Sequence, residues 1–228
     1  SLVDGGTDVI ELGVPFSDPM ADGPTIQRAS ERSLAAGTDL SSIFMLVRAF
    51  RERNASTPVI LMGYMNPFER LGFERFAKEA RASGVDGVLV VDLPPEESVP
   101  QNKILTLNGI RQIFLIAPNS SEDRIKKVGE LAAGFIYYVS VKGVTGDKSI
   151  STSNIRNSLE LVRNGTRLPI GLGFGIKTPE SAREAAKLSD AVVVGSALVD
   201  IIEKETEVNA AKKALERFVK ELKGAVDA

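Results

Sequence analysis

The sequence predicts an α/β protein built on a parallel sheet, and three observations lead there. Short β-rich runs alternate with helix-length amphipathic segments; most of the runs are continuously apolar, as strands covered on both faces are; and an Asp stands just before a strand at Asp8, Asp86 and Asp190, the echo of a repeating βα unit. The strand runs are Val9–Val14, Val59–Tyr64, Gly87–Val91, Gln112–Ile116, Phe135–Ser140, Pro169–Gly173 and Ala191–Gly195. Between the first two there is room for two helices, Thr25–Ala36 and Asp39–Asn54, separated by Gly37. Ile43, Leu46, Val47 and Phe50 give the second of these a helical stripe. Further helices are expected over Pro67–Ser83, Glu96–Leu107, Ser121–Leu131, Ser153–Arg163, Thr178–Leu188, Ser196–Glu203 and Val208–Val226. Their start signals are Asn66 before Pro67, Ser121 followed by Glu122 and Asp123, and Thr178 before Pro179 and Glu180.

The 228 residues, 43% hydrophobic and 25% charged, suit one folded domain with a sizeable core. No linker divides them, so a single domain over residues 1–228 is expected. A net charge of -2 with both signs scattered points away from nucleic acid and anionic membranes. With no bilayer-length apolar run and no secretory-type leader, the expected location is cytoplasmic. The chain has no Cys and no His. Thiolate nucleophiles, Cys-type zinc sites and the commonest general base are thereby removed, and acid/base chemistry falls to Asp, Glu, Lys or Tyr. No metal site is expected.

The stretch DVIELGVPFSDPMADGPTIQ, Asp8 to Gln27, carries the strongest chemical signal. Val9, Glu11 and Gly13 share one strand face, so Glu11 occupies a position that a buried parallel strand normally fills with an apolar residue. Burial raises a carboxyl pKa, and a carboxyl half-protonated near neutrality can act as a general acid/base. The alternative is a structural Glu paired with a Lys or Arg.

Three glycine-bearing segments follow late in the chain: Gly143–Gly146, Gly171–Gly175 and Gly195–Ser196. Such loops after late barrel strands, with the N-terminus of a short helix at Ser196, commonly hold a phosphate; the alternative is that the glycines only permit tight turns. The GLGFGI spacing is not a dinucleotide fingerprint. Met62, Tyr64, Leu89, Val91, Leu115, Tyr137 and Phe174 lie at or near strand ends and either wall a pocket for a flat ring or belong to the core. Asp92, after the run Gly87–Val91, is a polar group at the same strand ends or a turn former. The polar run from Val141 to Thr152 suits a lid.

ELGVPFSDPMADGPTIQ, with VSVKGVTG, GFGI and VVVGSAL in that order, resembles the α subunit of tryptophan synthase over nearly the whole chain. The resemblance implies a TIM (β/α)8 barrel whose first strand and most of whose first helix are absent from this chain. It implies a carbon–carbon lyase that splits indole-3-glycerol phosphate into indole and glyceraldehyde 3-phosphate. No cofactor is implied on this chain; pyridoxal phosphate belongs to a partner β subunit, in an α2β2 tetramer. By motif, Glu11 protonates indole C3 and takes the proton of the glycerol hydroxyl, and Asp22 accepts the ring N–H. Tyr137 lies beside the acid/base, and Thr145 bonds Asp22 when the lid closes. Phosphate contacts fall on Gly146, Gly175, Gly195 and Ser196. Val141 stands where many members carry a lid Arg. The family's additional strand and helix, ahead of Ser1, predict a longer protein in which an eighth strand covers the exposed edges. Competing readings are another phosphate-binding barrel of amino-acid biosynthesis and a non-catalytic subunit; intact Glu11 and Asp22 weigh against both.

Overall fold

The computed structural model describes residues 1–140, 151–173 and 175–228. Two compact units emerge, one of Asp8–Phe114 with Leu131–Gly134, the other of Ser1–Thr7, Leu115–Glu130 and Phe135–Ala228. All strand pairs described below are parallel, as the continuously apolar runs require.

The first unit holds β1 (Ile10–Gly13), β2 (Val59–Gly63), β3 (Gly87–Val90) and the start of β4 (Arg111–Ile116), paired in that order. Its helices are α1 (Pro24–Ala35), α2 (Leu40–Arg51), α3 (Met65–Leu71), α4 (Phe73–Ser83) and α5 (Val99–Leu107). Val59, Leu61, Val88 and Val90 pack on one face against Phe44, Phe68, Phe76 and Leu105, with Ile10 and Leu12 joining them. The Phe68 and Phe76 ring centroids are 4.3 Å apart. Phe68 reaches the sheet because Gly63 has no side chain; a Cβ there would stand 3.0 Å from its ring. The odd-numbered face of β1 is left to Glu11.

The second unit carries α6 (Glu122–Leu131), β5 (Ile136–Val139), α7 (Ser151–Gly165), β6 (Ile170–Gly173), α8 (Pro179–Ala186), β7 (Ala191–Val193), α9 (Ser196–Lys204) and α10 (Val208–Val226). Here β5 pairs with β6 and β6 with β7. A Cβ on Gly165 would stand 2.6 Å from Ile125 Cγ2, so the glycine is what lets α7 close on α6. Thr178 and Ser181 form a reciprocal capping box at the start of α8.

Several boundaries differ from the sequence expectation. The helix expected over Pro67–Ser83 is two, because Gly72 takes φ +87° between α3 and α4. Asn66 is not its cap: Tyr64 occupies that position, and Pro67 falls in the first turn, where its missing N–H costs nothing. The helix expected from Glu96 begins at Val99, since Ser98 Oγ donates to the Pro95 carbonyl in the preceding turn. Strand ends are trimmed, β1 to Ile10–Gly13 and β7 to Ala191–Val193.

The recurring Asp has a common structural task in both units. Asp86 N–H donates to the Val59 carbonyl at 2.9 Å, and its Oδ2 accepts the Val59 N–H at 2.8 Å. Asp190 does the same to Ile170, at 2.9 Å in both directions. Each carboxylate also meets an Arg from the helix before the clamped strand: Arg51 Nη2 at 2.5 Å and Arg163 Nη1 at 3.1 Å. The Arg51 guanidinium further donates to the Gly84 and Thr57 carbonyls. Asp86→Ala would strand the Val59 N–H and this guanidinium together, so we expect a loss of about 1–3 kcal/mol in denaturant unfolding. Asp190→Ala should cost less, its ion pair being more exposed. Equal stability of Asp86→Ala and the parent would refute the role of the clamp.

Candidate active site

Parallel registry aligns Glu11 with Ile60, and Gly13 with Met62 and Leu89, along the sheet face opposite the helices of the first unit. The carboxyl therefore shares its face with Ile60, Met62, Leu89 and Ile113, residues that cannot solvate it. Desolvation alone pushes its pKa from 4.5 up to about 7. Among the described residues no Lys or Arg is paired with Glu11, so the structural ion-pair alternative has no partner here. The group is poised between its acid and base forms at neutral pH.

Asp22 lies in the loop between β1 and α1, half-buried. Burial raises its pKa, while the hydroxyl of Tyr64, donating to Oδ2 at 3.1 Å, pulls it back down. Tyr64 follows β2 directly and is only 3% exposed. Its hydroxyl also accepts the Ala21 N–H at 3.0 Å, and its ring packs against Phe16 at a centroid distance of 5.6 Å. Gln27 Nε2 on α1 holds the Asp22 carbonyl at 2.9 Å. Asp92, after β3, accepts the Met65 N–H at 2.8 Å and so fixes the start of α3. The sequence reading treats Tyr64 as pocket wall and misses this network, which joins residues 42 and 43 positions apart.

Leu89 is fully buried on β3, on the same face as Glu11; Val91 follows two residues on, its N–H bonded to the Gly63 carbonyl at 2.8 Å. Leu115 lies half-buried on β4. In the second unit, Tyr137 of β5 lies across β6: a Cβ on Gly173 would stand 2.6 Å from its hydroxyl oxygen. Gly171 likewise leaves room for Phe135, 3.2 Å from where its Cβ would be. These two glycines, grouped by sequence with a phosphate loop, sit within β6 and make space for aromatic rings. Gly175 has φ +76°, a conformation that favours glycine. Gly195 is the N-cap of α9 and Ser196 its first residue, as expected; nothing stands within 4 Å of a Cβ built at Gly195. Val141, Thr145, Gly146 and Phe174, and most of the expected lid, lie outside the described residues.

Among the described residues no helix is long and apolar enough to cross a membrane. The family profile for the tryptophan synthase alpha chain matches residues 1–227. The tryptophan synthase alpha chain of Burkholderia thailandensis is 53% identical over 227 residues, covering 100% of this chain and 83% of that one. That of Cupriavidus pinatubonensis is 52% identical over 228 residues, which span 86% of it. The crystal structure of subunit alpha from Legionella pneumophila str. Paris superposes with a TM-score of 0.91 at 39% identity, covering 99% of this chain and 84% of that one. A structure of the α2β2 complex from Pyrococcus furiosus gives 0.89 at 39% identity, over 98% of this chain and 89% of its own. The fold is accordingly of the TIM-barrel class. With an acidic loop and a desolvated glutamate on one unit, glycine-bearing strand ends on the other, and full-length similarity to these enzymes, the chain belongs to the tryptophan synthase alpha chain family, lyases of tryptophan biosynthesis.

Proposed function

We propose that this chain cleaves indole-3-glycerol phosphate to indole and glyceraldehyde 3-phosphate, with Glu11 as the acid/base and Asp22 as the ring N–H acceptor. The observation that carries this reading is the Glu11 carboxyl, without a cationic partner among the described residues and raised to about 7 by desolvation. Protonated Glu11 delivers its proton to indole C3, which converts a poor leaving carbon into part of a cationic ring. Asp22 takes the hydrogen bond of the ring N–H as positive charge develops there. The Glu11 carboxylate then accepts the proton of the glycerol hydroxyl as the carbon–carbon bond breaks and the aldehyde forms. Indole departs and Glu11 is protonated again, so the cycle closes without a cofactor on this chain.

The phosphate is assigned to Gly175, Gly195 and Ser196, together with Gly146. The open backbone at Gly195 and the N-terminus of α9 support it, since amide donors and the helix dipole favour an anion there. Leu89, Val91, Leu115, Tyr137 and Phe174 are assigned to the ring, and Thr145 to Asp22. The partner is a β subunit carrying pyridoxal phosphate in an α2β2 assembly. Ser17, Asp18 and Met20 are exposed in the loop after β1, and Met20 shows 78% of its surface. The docking face is assigned to the exposed parts of Val14–Asp18 and Met65–Phe68, namely Ser17, Asp18 and Asn66, since Val14 and Phe68 are themselves buried in the core.

Glu11→Gln keeps the shape and removes the proton transfer, so indole release should fall by about 10²–10⁴-fold with substrate binding largely kept. Near-normal turnover in a steady-state assay would sink the assignment. The same variant tests the pKa. Because the folded protein holds this proton more tightly than the unfolded chain, the Glu11 contribution is most favourable below about pH 4.5. It declines as pH rises to about 7, then levels off. At about 1.4 kcal/mol per pKa unit, the stability of the parent relative to Glu11→Gln should drop by on the order of 3–4 kcal/mol across that window. A flat difference in unfolding free energy between pH 4 and 8 would contradict it. Glycerol phosphate should shift the backbone amide resonances of Gly175, Gly195 and Ser196; shifts confined to other residues would remove the phosphate assignment. Asp18→Lys should weaken capture of the β subunit, and unchanged affinity would move the docking face elsewhere.

A further inference from the structure

We propose that Tyr64 is the positioning residue of the Asp22 carboxylate, its hydroxyl fixing where that carboxylate points and holding it as an acceptor. The inference rests on the assignment of Asp22 to the substrate ring N–H. Its geometric basis lies within one unit. A tyrosine hydroxyl offers one proton and accepts at its oxygen. The Ala21 N–H arrives on that oxygen at 3.0 Å, and Asp22 Oδ2 stands 3.1 Å away to receive the proton. One hydroxyl thus fastens two consecutive residues of the loop that carries the acid.

The phenol itself has little freedom. Its ring is 3% exposed and packed on Phe16, and its backbone is the N-cap of α3, whose first N–H is bonded to Asp92. The charged groups that act on the hydroxyl are Asp22 from the loop after β1 and Asp92 from the loop after β3. Both are acidic. Together with burial, which is the larger cause, they push the phenol up to about 12 against the pull of the Ala21 amide, so it remains a donor throughout the working range. A donor aimed at a carboxylate favours the ionised form and opposes the desolvation that would protonate it.

Pocket wall and positioning residue make different predictions for Tyr64→Phe, which keeps the ring and deletes the hydroxyl. If Tyr64 positions Asp22, the carboxyl ¹³C titration of Asp22 moves to higher pH and the Ala21 amide exchanges faster with solvent. In turnover, kcat for indole release falls roughly 10- to 100-fold with KM nearly unchanged. In an Asp22→Asn background the same change costs little more, because the carboxylate it serves is gone. A pocket wall instead leaves the Asp22 titration unmoved and costs as much with Asp22→Asn as without; either result overturns the proposal. Were the parent chain to release no indole at all, the functional reading would fall, and the Asp22 titration would still decide whether Tyr64 controls that carboxylate.

Discussion

One carboxyl on a strand face that cannot solvate it is the constraint on which the chemistry proposed for this protein depends. Glu11 reaches that state through parallel registry. Once Ile10 and Leu12 turn toward the helices, residue 11 must face the other way, alongside Ile60, Met62 and Leu89. Among the described residues the fold thus raises the proton affinity of the group by desolvation, with no ion-pair partner. Asp22, given the ring N–H in the proposed reaction, is raised by the same cause and restrained by a second. Asp22 lies in a loop, where burial is incomplete, and a phenol donor counters the desolvation it does suffer. Desolvation thus raises the proton affinity of two carboxyls eleven residues apart in sequence, unopposed at Glu11 and countered by a hydrogen bond at Asp22.

The strands and their faces were legible because apolar runs and alternation are local properties. Glu11 stands out among Val9, Ile10 and Leu12 without any knowledge of the fold. What could not be read is whatever depends on residues distant in sequence. Nothing around Tyr64 announces that its hydroxyl will meet Ala21 and Asp22, and nothing around Gly173 announces that Tyr137 will lie across it. The break at Gly72 is not legible for a different reason: one glycine inside a helical pattern costs only about 1 kcal/mol, so the pattern alone does not decide between interruption and tolerance. The rule that assigned glycines to a phosphate loop also overreached. Gly195 is a helix N-cap and Gly175 lies between β6 and α8, whereas Gly171 and Gly173 are strand residues whose missing side chains leave room for the rings of Phe135 and Tyr137.

Aromatic placement follows the same logic in both units. Phe68 approaches the sheet over Gly63 in one, and Phe135 and Tyr137 lie over Gly171 and Gly173 in the other. In each case a large ring is accommodated by subtraction in the neighbouring strand, so ring position is determined by backbone and not by a choice among rotamers. In the proposed reaction a Tyr137 ring held this way loses little further freedom when the substrate ring binds, which keeps the entropic cost low.

The Arg and Asp clamps at Val59 and Ile170 secure the beginnings of their strands, while the hydrogen-bonded pair Asp22 and Tyr64 lies beyond the ends of β1 and β2. On β2 the clamp that holds the strand and the tyrosine that orders the Asp22 loop thus lie at opposite ends. Evolutionary drift in the loops that follow the strands can then alter which substrate is accepted without loosening the anchors that precede them. A laboratory lineage selected for a new substrate should accumulate its changes on the first side and leave Arg51, Asp86, Arg163 and Asp190 untouched.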